Sequence, residues 1–175
     1  MTSSAASPCS PCSRRLRFRI ARDRDRGAVR AFLDRLSPST VGLRYLSAPR
    51  SLAGPAGDPE LRRLLGRNEA EHVVVLAVDG RQVRGIGEFV AEPAQRAELA
   101  LLVEDAFQGC GIGRSLFRRL ERVARGRGIQ AFTGDMAYGN ARALALLRWT
   151  GRPLETQVSY GSLRFQLRLA SESSR

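Results

Sequence analysis

The chain has 175 residues, of which 43% are hydrophobic and 26% charged, a balance typical of soluble globular proteins. Its 29 basic residues outnumber 17 acidic ones, for a formal net charge of +12, and every basic residue is arginine. The apolar runs are too short to cross a bilayer, and the absence of lysine excludes the lysine-containing loop of P-loop nucleotide-binding proteins.

The length predicts one domain, which we place at residues 14–170, with a short tail at residues 171–175. Residues 1–13 are rich in Ser, Ala and Pro and lack the basic and apolar regions of a signal peptide, so we expect a disordered tail and a cytoplasmic protein. Cys9 and Cys12 form a CxxC pair in this tail. Since no second pair and no suitable histidine accompany them, we expect no metal site.

The positive charge has two interpretations. The arginines are scattered and often alternate with acidic residues, as in residues 22–26, which favours a compositional bias. The alternative is an attraction for polyanions, including cofactor phosphates, acidic protein surfaces and RNA. Because no basic segment is rich in aromatic residues, we do not expect nucleic acid to be the partner.

The first part of the chain predicts one strand and three short helices. The alternation of apolar residues with arginine over residues 14–20 predicts a half-buried strand. Asp23 or Asp25 can cap a helix that ends at Ser37. Two further helices are predicted at residues 39–46 and 60–65, with a loop at residues 47–58 between them.

The rest of the chain predicts strands first and then alternating strands and helices. Residues 73–78 are continuously apolar and β-branched, which is typical of a strand buried on both faces, and Asp79-Gly80 predicts a hairpin turn after it. Asn140 predicts the cap of a late helix that Gly151 closes. The other predicted elements are strands at 82–90, 96–103, 129–133, 154–160 and 163–169, and a helix between Arg114 and Gly126.

A glycine-rich stretch, Gln108-Gly-Cys-Gly-Ile-Gly-Arg114, lies between the strand at 96–103 and the following helix. Glycines let a backbone approach a ligand closely and adopt positive φ angles. The first amides of the helix lack partners within it and lie at the positive end of its dipole. The stretch therefore predicts an anion site, most naturally for phosphate, with a tight strand-to-helix turn as the alternative.

Gln108, Gly111 and Gly113 match the pattern Gln/Arg-x-x-Gly-x-Gly/Ala, so the stretch resembles motif A of the GNAT N-acetyltransferase superfamily. The resemblance implies that acetyl-CoA is the co-substrate. Loop amides would hold its pyrophosphate, and backbone groups of Leu102 and Val103 would bond its pantetheine arm. The residues assigned to acetyl-CoA in this way are Leu102, Val103, Gln108, Gly109, Cys110, Gly111, Ile112, Gly113, Arg114 and Asn140.

The predicted element order, βααβββαβαββ, is also that of the GNAT fold. The resemblance implies an α/β (α+β) architecture with a mixed, mostly antiparallel central sheet splayed between strands 4 and 5 and helices on both faces. Leu147 stands where this superfamily often has a tyrosine that protonates the departing thiolate. Tyr138 and Tyr160 are alternative acids, although the sequence favours a packing or structural role for each.

Residues 36–45 and 97–108 resemble segments of bacterial Pat-type protein-lysine acetyltransferases. The resemblance implies transfer to a protein lysine. Two alternatives are a small-molecule amine N-acetyltransferase and a non-catalytic acyl-CoA-binding regulatory module. By the same resemblance, residues 37–65 lie on the acceptor side, where Leu43, Tyr45 and Leu46 would form part of the wall, with core packing as the equal alternative. The sequence leaves a monomer and a homodimer open, and its short apolar runs predict no membrane association.

Two glutamates are candidate catalytic bases. A lysine amine has a pKa of about 10.4, so acetyl transfer at pH 7 requires removal of its proton. Glu98 is the first candidate because it lies on the fourth predicted strand and matches the glutamate of the Pat-type segment. Glu88, on the third predicted strand, is the second. For Glu98 the alternatives are a solvated surface position and an arginine partner, and a backbone N–H near Val103 could polarise the thioester carbonyl.

Overall fold

The computed structural model describes residues 15–47, 50–66 and 70–169, so the predicted tails and the Cys9–Cys12 pair lie outside the described residues. Within these ranges seven strands form one sheet in the order β1-β2-β3-β4-β5-β7-β6. The strands are β1 (Arg17–Ile20), β2 (His72–Asp79), β3 (Gln82–Glu92), β4 (Arg96–Val103), β5 (Ala131–Ala137), β6 (Leu154–Ser159) and β7 (Ser162–Arg168). The helices are α1 (Arg26–Arg35), α2 (Pro38–Tyr45), α3 (Asp58–Leu65), α4 (Ile112–Gly126) and α5 (Ala141–Trp149), and short 3₁₀ turns lie at Asp23–Asp25, Gly54–Gly57 and Asp105–Phe107.

The sheet opens between its two central strands. All neighbouring strands run antiparallel except β4 and β5, which are parallel and pair over only three residues, 96–98 with 131–133. Beyond that point β5 continues against β7, while residues 99–103 of β4 continue against β3. The predicted splay between strands 4 and 5 is therefore confirmed, and it leaves a wedge between them.

Gly134 lies where the two strands separate. A Cβ at this position would lie 2.8 Å from the Phe165 ring and 3.1 Å from the Leu99 carbonyl oxygen. Both distances are shorter than ordinary carbon contacts, so a larger residue would force the strands or the ring apart. Glycine therefore permits the close approach at the apex of the wedge.

Each face of the sheet packs against its own set of helices. On one face, α4 and α5 cover a core in which the Phe132 ring lies 5.9 Å from that of Phe89 and 5.8 Å from that of Phe117. On the other face, α1, α2 and α3 cover a second core that includes Phe32, Leu33 and the even-numbered residues of β2. The apolar residues 73–78 are buried, which confirms a strand enclosed on both faces.

The fifth strand differs from its prediction, which placed it at residues 129–133. Ile129 still belongs to the helix exit, since its N–H donates to the Ala124 carbonyl at 3.0 Å and Gly128 has a φ of 75°. The strand then continues to Ala137 because β7 pairs with it up to Ser162. The prediction ended too early because Asp135 interrupts the apolar pattern that marks a buried strand. Pairing with β7 stabilises the strand through this residue.

Asp25 occupies the cap position of α1, as predicted, but its side chain makes no cap hydrogen bond to that helix. Helix α1 begins at Arg26 after a 3₁₀ turn, and the Asp25 carboxylate instead accepts from the Arg22 N–H at 2.8 Å. Asp25 is buried and accepts two 2.6 Å hydrogen bonds from the Arg19 guanidinium. These hydrogen bonds hold the pKa of Asp25 below its usual range against the opposing effect of burial.

None of the helices within the described ranges combines the length and apolar character of a membrane span.

Candidate active site

The glycine-rich stretch forms a tight turn at the end of the wedge. β4 ends at Val103, a 3₁₀ turn covers Asp105–Phe107, and α4 begins at Ile112. Gly109 and Gly111 have φ angles of 80° and 77°, and a Cβ added at either one would meet no atom within 4 Å. The loop thus uses glycine for its backbone conformation and leaves open space beside it.

The start of α4 has the features that an anion site requires. Gly111 occupies the cap position and has no side chain with which to cap the first amides of the helix. Those amides lie at the positive end of a 15-residue helix. The predicted loop residues 108–114, including Cys110, Gly113 and Arg114, are therefore together at one helix N-terminus, where backbone N–H groups can bind phosphate.

The predicted Asn140 cap is confirmed. The Ala143 N–H donates to Asn140 Oδ1 at 3.1 Å, so Asn140 fixes the start of α5. This helix packs beside the loop, where a Cβ on Gly113 would lie 3.6 Å from Leu146. Leu147 is buried in the core, so the position where relatives often carry a tyrosine has a packing role here.

Leu102 and Val103 are the last residues of β4 and pair with Ile86 and Gly85 of β3. One edge of β4 is used in this pairing, and the opposite edge faces the wedge beyond Glu98. Backbone groups on that edge can bond an extended chain lying between β4 and β5. Leu102 itself is buried and Val103 is half-buried, and the Val103 carbonyl accepts from Gln108 Nε2 at 3.1 Å.

Glu88 lies in a buried cluster of ionised groups. Its Oε1 accepts from Arg63 at 2.6 Å and from Arg44 at 2.9 Å. Its Oε2 accepts from Arg63 at 2.7 Å and lies 2.6 Å from His72 Nε2, which must donate because an ionised carboxylate can only accept. Arg63 also binds Glu60 at 2.6 and 2.9 Å, so the cluster joins α2, α3, β2 and β3.

The cluster changes the acid–base behaviour of Glu88. Burial by itself would raise its pKa, but hydrogen bonds from His72 and Arg63 and the charges of Arg63 and Arg44 outweigh burial. The pKa of Glu88 is consequently held well below the usual range. A carboxylate with these partners is a weak base. An incoming amine would have to compete with the arginines and the histidine for it.

Glu98 has a different environment. It is the last residue of β4 that pairs with β5, opposite Thr133, and its side chain is exposed. Glu98 pairs with Val90, which lies two residues after Glu88 on β3. Paired residues, and residues two apart on one strand, point to the same face, so the two glutamates lie on the same face of the sheet. Glu98 is therefore beside the apex of the wedge, where β4 and β5 begin to separate, and on the sheet face that α2 packs against.

An open groove of about 400 Å³ lies on that side, between α2 and the turn that joins β6 to β7. Leu43 and Leu46 from α2 and its C-terminal end, Ala137 from the end of β5 and Tyr160 from the β6–β7 turn contribute to its walls. The two leucines are 43% and 44% exposed, and Tyr160 is fully exposed. These are apolar groups that solvent and an incoming molecule can reach.

Sequence reasoning missed the side chains that support the site. They include Arg63 and His72 around Glu88, Asp105 beside α2, and Arg142, which donates to Gln108 Oε1. The residues in each contact are between 16 and 68 positions apart, and no local pattern marks them. The described part of the chain contains no cluster of three side chains suited to hold a metal ion.

Comparison with known proteins is consistent with this architecture. The model of the acetyltransferase (GNAT) family matches residues 43–151, which is more than half of the chain. Acetyltransferase PA5475 of Pseudomonas aeruginosa is 34% identical over 133 residues, covering 73% of this chain and 70% of that protein.

Solved structures show the same fold. The GNAT domain of PAT from S. lividans has a TM-score of 0.78 and 22% identity, covering 88% of this chain and 90% of that one. The protein yncA of Salmonella typhimurium, solved with its cofactor acetyl-CoA, has a TM-score of 0.68 and 21% identity, covering 92% and 98%. With the family match, the curated relative and the splayed sheet in agreement, the chain belongs to the GNAT family of acetyltransferases.

Proposed function

We propose that the protein transfers the acetyl group of acetyl-CoA to the side-chain amine of a protein lysine. The observation that carries this proposal is the wedge between β4 and β5, which ends at the glycine turn before α4. The wedge offers a backbone edge for an extended arm, and the turn offers amides for a pyrophosphate. Glu98 and the apolar groove are on the face opposite α4, where a second substrate can enter.

The residues present fit acetyl-CoA. The amides of residues 108–114 would hold the pyrophosphate, and backbone groups of Leu102 and Val103 would bond the pantetheine arm. Asn140 lies at the start of α5 beside the same loop. When bound, acetyl-CoA supplies an acetyl group activated as a thioester, and the chain's own task is to orient it and to prepare the amine.

Glu98 is the residue we assign as the base that takes the proton from the acceptor ammonium, directly or through water. Its support is its exposed position beside the apex of the wedge. The contacts of Glu88 with Arg44, Arg63 and His72 favour a role in holding α2 and α3 on the sheet instead. For the proton that the thiolate receives, Tyr138 is an accessible donor, being 66% exposed immediately after β5.

The groove supports a lysine acceptor. The exposed side chains of Leu43, Leu46 and Tyr160 can pack along the aliphatic part of a lysine and leave its amine free. The Pat-type segments at residues 36–45 and 97–108 contribute α2 and the strand that carries Glu98. One wall of the proposed acceptor site, α2, therefore comes from a segment with that resemblance, and the other comes from the end of β5 and the β6–β7 turn.

The first experiment is thermal unfolding with and without acetyl-CoA, with CoA and adenosine diphosphate as reference ligands. At a hundredfold excess over Kd, binding adds about 2.7 kcal/mol of stability, which corresponds to a rise in Tm of roughly 5–10 °C for a domain of this size. No shift at millimolar acetyl-CoA would contradict the proposed function.

A variant pair locates the binding. Gly111→Glu places a negative charge in the loop at a positive φ, so we expect the acetyl-CoA shift to disappear. Gly111→Ala reports the backbone strain alone. Gly27→Glu is the matched control, since Gly27 is an exposed helical glycine with open space around it. An unchanged shift in Gly111→Glu would refute the placement of the pyrophosphate.

Acceptor assays then separate the alternatives. Thiol release is measured with lysine peptides, intact proteins, polyamines, amino acids and aminoglycosides, and transfer to proteins is verified by mass spectrometry. Because this chain contains no lysine, any acetyl-lysine signal comes from the acceptor. Turnover only with small amines would reassign the acceptor, and binding without any turnover would support an acyl-CoA-binding module.

A further inference from the structure

Asp105 joins the cofactor side of the molecule to helix α2. Its Oδ2 accepts from the Ser37 N–H at 3.0 Å, and its Oδ1 accepts from Ser37 Oγ at 2.6 Å and from Thr40 Oγ1 at 2.8 Å. Ser37 in turn caps α2 by accepting from the Thr40 N–H at 3.2 Å. The carboxylate therefore lies at the positive end of α2, although it is 68 residues away from Ser37 in the sequence.

Gln108 connects the same helix to the loop and to α5. Its Nε2 donates to Thr40 Oγ1 and to the Val103 carbonyl, both at 3.1 Å, and its Oε1 accepts from Arg142. The Thr40 hydroxyl thus donates to Asp105 and accepts from Gln108. Because Gln108 is the first residue of the loop, its side chain ties the loop backbone to the acceptor-side helix.

The contacts reach the groove through α2 itself. Leu43 lies three residues after Thr40, which is less than one helical turn, so the two move as parts of one rigid segment. The Val41 N–H bonds the Ser37 carbonyl at 3.1 Å, and the Ser47 N–H bonds the Gly42 carbonyl at 3.2 Å. A shift at Thr40 consequently changes the position of Leu43 and Leu46 in the groove wall.

We infer that Asp105 is a positioning residue through which acetyl-CoA bound at the glycine loop fixes helix α2 and so shapes the acceptor groove. The inference rests on the proposed function and adds a direction of coupling, in which the cofactor prepares the acceptor site. Ligand-dependent coupling between two sites commonly amounts to about 5–150-fold in binding. Asp105 does not touch the reacting groups in this scheme.

Backbone amide exchange tests the coupling directly. In the full-length protein we expect amides of residues 41–47 to exchange roughly tenfold more slowly with saturating acetyl-CoA than without it. In Asp105→Asn this slowing is expected to be lost, although acetyl-CoA still binds. The acceptor KM of this variant is expected to rise about tenfold, with a smaller change in kcat.

Two further variants keep the test decisive if Asp105→Asn folds poorly. Thr40→Val removes the hydroxyl at constant size, so acetyl-CoA should no longer slow amide exchange in residues 41–47. Thr40→Ser keeps a hydroxyl, so the slowing of exchange should be retained. Asp23→Asn, which changes an exposed aspartate in the turn before α1, is the control and should respond like the wild type. In a double-mutant cycle, Asp105→Asn and Thr40→Val should be non-additive because they remove one shared contact.

The possible results separate the two proposals. Acetyl-CoA that binds the wild type without changing exchange in α2 overturns the coupling and leaves the proposed function intact. Retained slowing in both Asp105→Asn and Thr40→Val also overturns it. Failure of the wild type to bind acetyl-CoA would overturn the proposed function, and the coupling with it.

Discussion

Glu88 and Glu98 lie on neighbouring strands and the same face of one sheet, yet their surroundings are opposite. Glu88 is 4% exposed and binds two arginines and a histidine. Glu98 is exposed and borders the gap where β4 and β5 separate. The same residue type can therefore stabilise the scaffold at one site and be available for chemistry at the other.

The difference follows from position in the sheet. Glu88 is paired with Val74 and Ala100 in the interior of the sheet, where α2 and α3 cover it, so its charge requires partners. Glu98 is at the last paired position before the wedge, and its side chain is exposed. The buried carboxylate of Glu88 is therefore held by ion pairs, whereas the exposed carboxylate of Glu98 is accessible to a substrate.

The largest expected effect is that of Glu98→Gln on turnover. If Glu98 is the base, kcat should fall by about 10²–10⁴-fold, while the acetyl-CoA thermal shift is retained. The defect should shrink as the pH approaches the amine pKa of about 10.4, because more amine is then already deprotonated. Steady-state kinetics with the identified acceptor between pH 6 and 10 measures this. A near-normal rate at pH 7 would show that another group or water removes the proton.

Glu88→Gln should affect stability instead. Removing one partner of a buried ion pair costs about 3–5 kcal/mol, and the lower value applies here because Arg63 and Arg44 keep partial access to solvent. The free energy of unfolding from urea titration checks this, with Glu98→Gln as the control that should change it by less than about 0.5 kcal/mol. Equal stability of the two variants would remove the distinction between the glutamates.

The smallest expected effect is that of Glu88 on the pH dependence of the free energy of unfolding in acid. Because the folded-state pKa of Glu88 is lowered, its contribution to stability is present above the ordinary glutamate pKa of about 4.3 and is lost as the pH falls below it. The wild type should therefore lose up to about 1.4 kcal/mol more per pH unit than Glu88→Gln between pH 5 and 3. Asp105 and Asp25, whose pKa values are also lowered, contribute to the slope that remains. Parallel curves for the wild type and Glu88→Gln would contradict the low pKa of Glu88.

The glycine loop, the Asn140 cap and the buried strand at residues 73–78 could be predicted from sequence because each is marked by local chemistry. Positive φ angles favour glycine, a helix start favours asparagine, and a doubly buried strand favours β-branched residues. Local patterns were less informative at Asp25, where an aspartate typical of a cap instead binds the Arg19 guanidinium. Local patterns also predicted an end of the fifth strand at residue 133, four residues too early. The reason is that the pairing of β5 with β7 leaves no mark in the sequence of β5.

The sequence by itself determined the order of the elements and the position of the loop that marks the family. Only the tertiary structure decided which glutamate is buried and that Asp105 reaches α2. These features depend on contacts such as Arg44 to Glu88 and Ser37 to Asp105, which join residues 44 and 68 positions apart. Side-chain periodicity predicts the face on which a residue lies, but burial and ion pairing depend on which distant segment packs against that face.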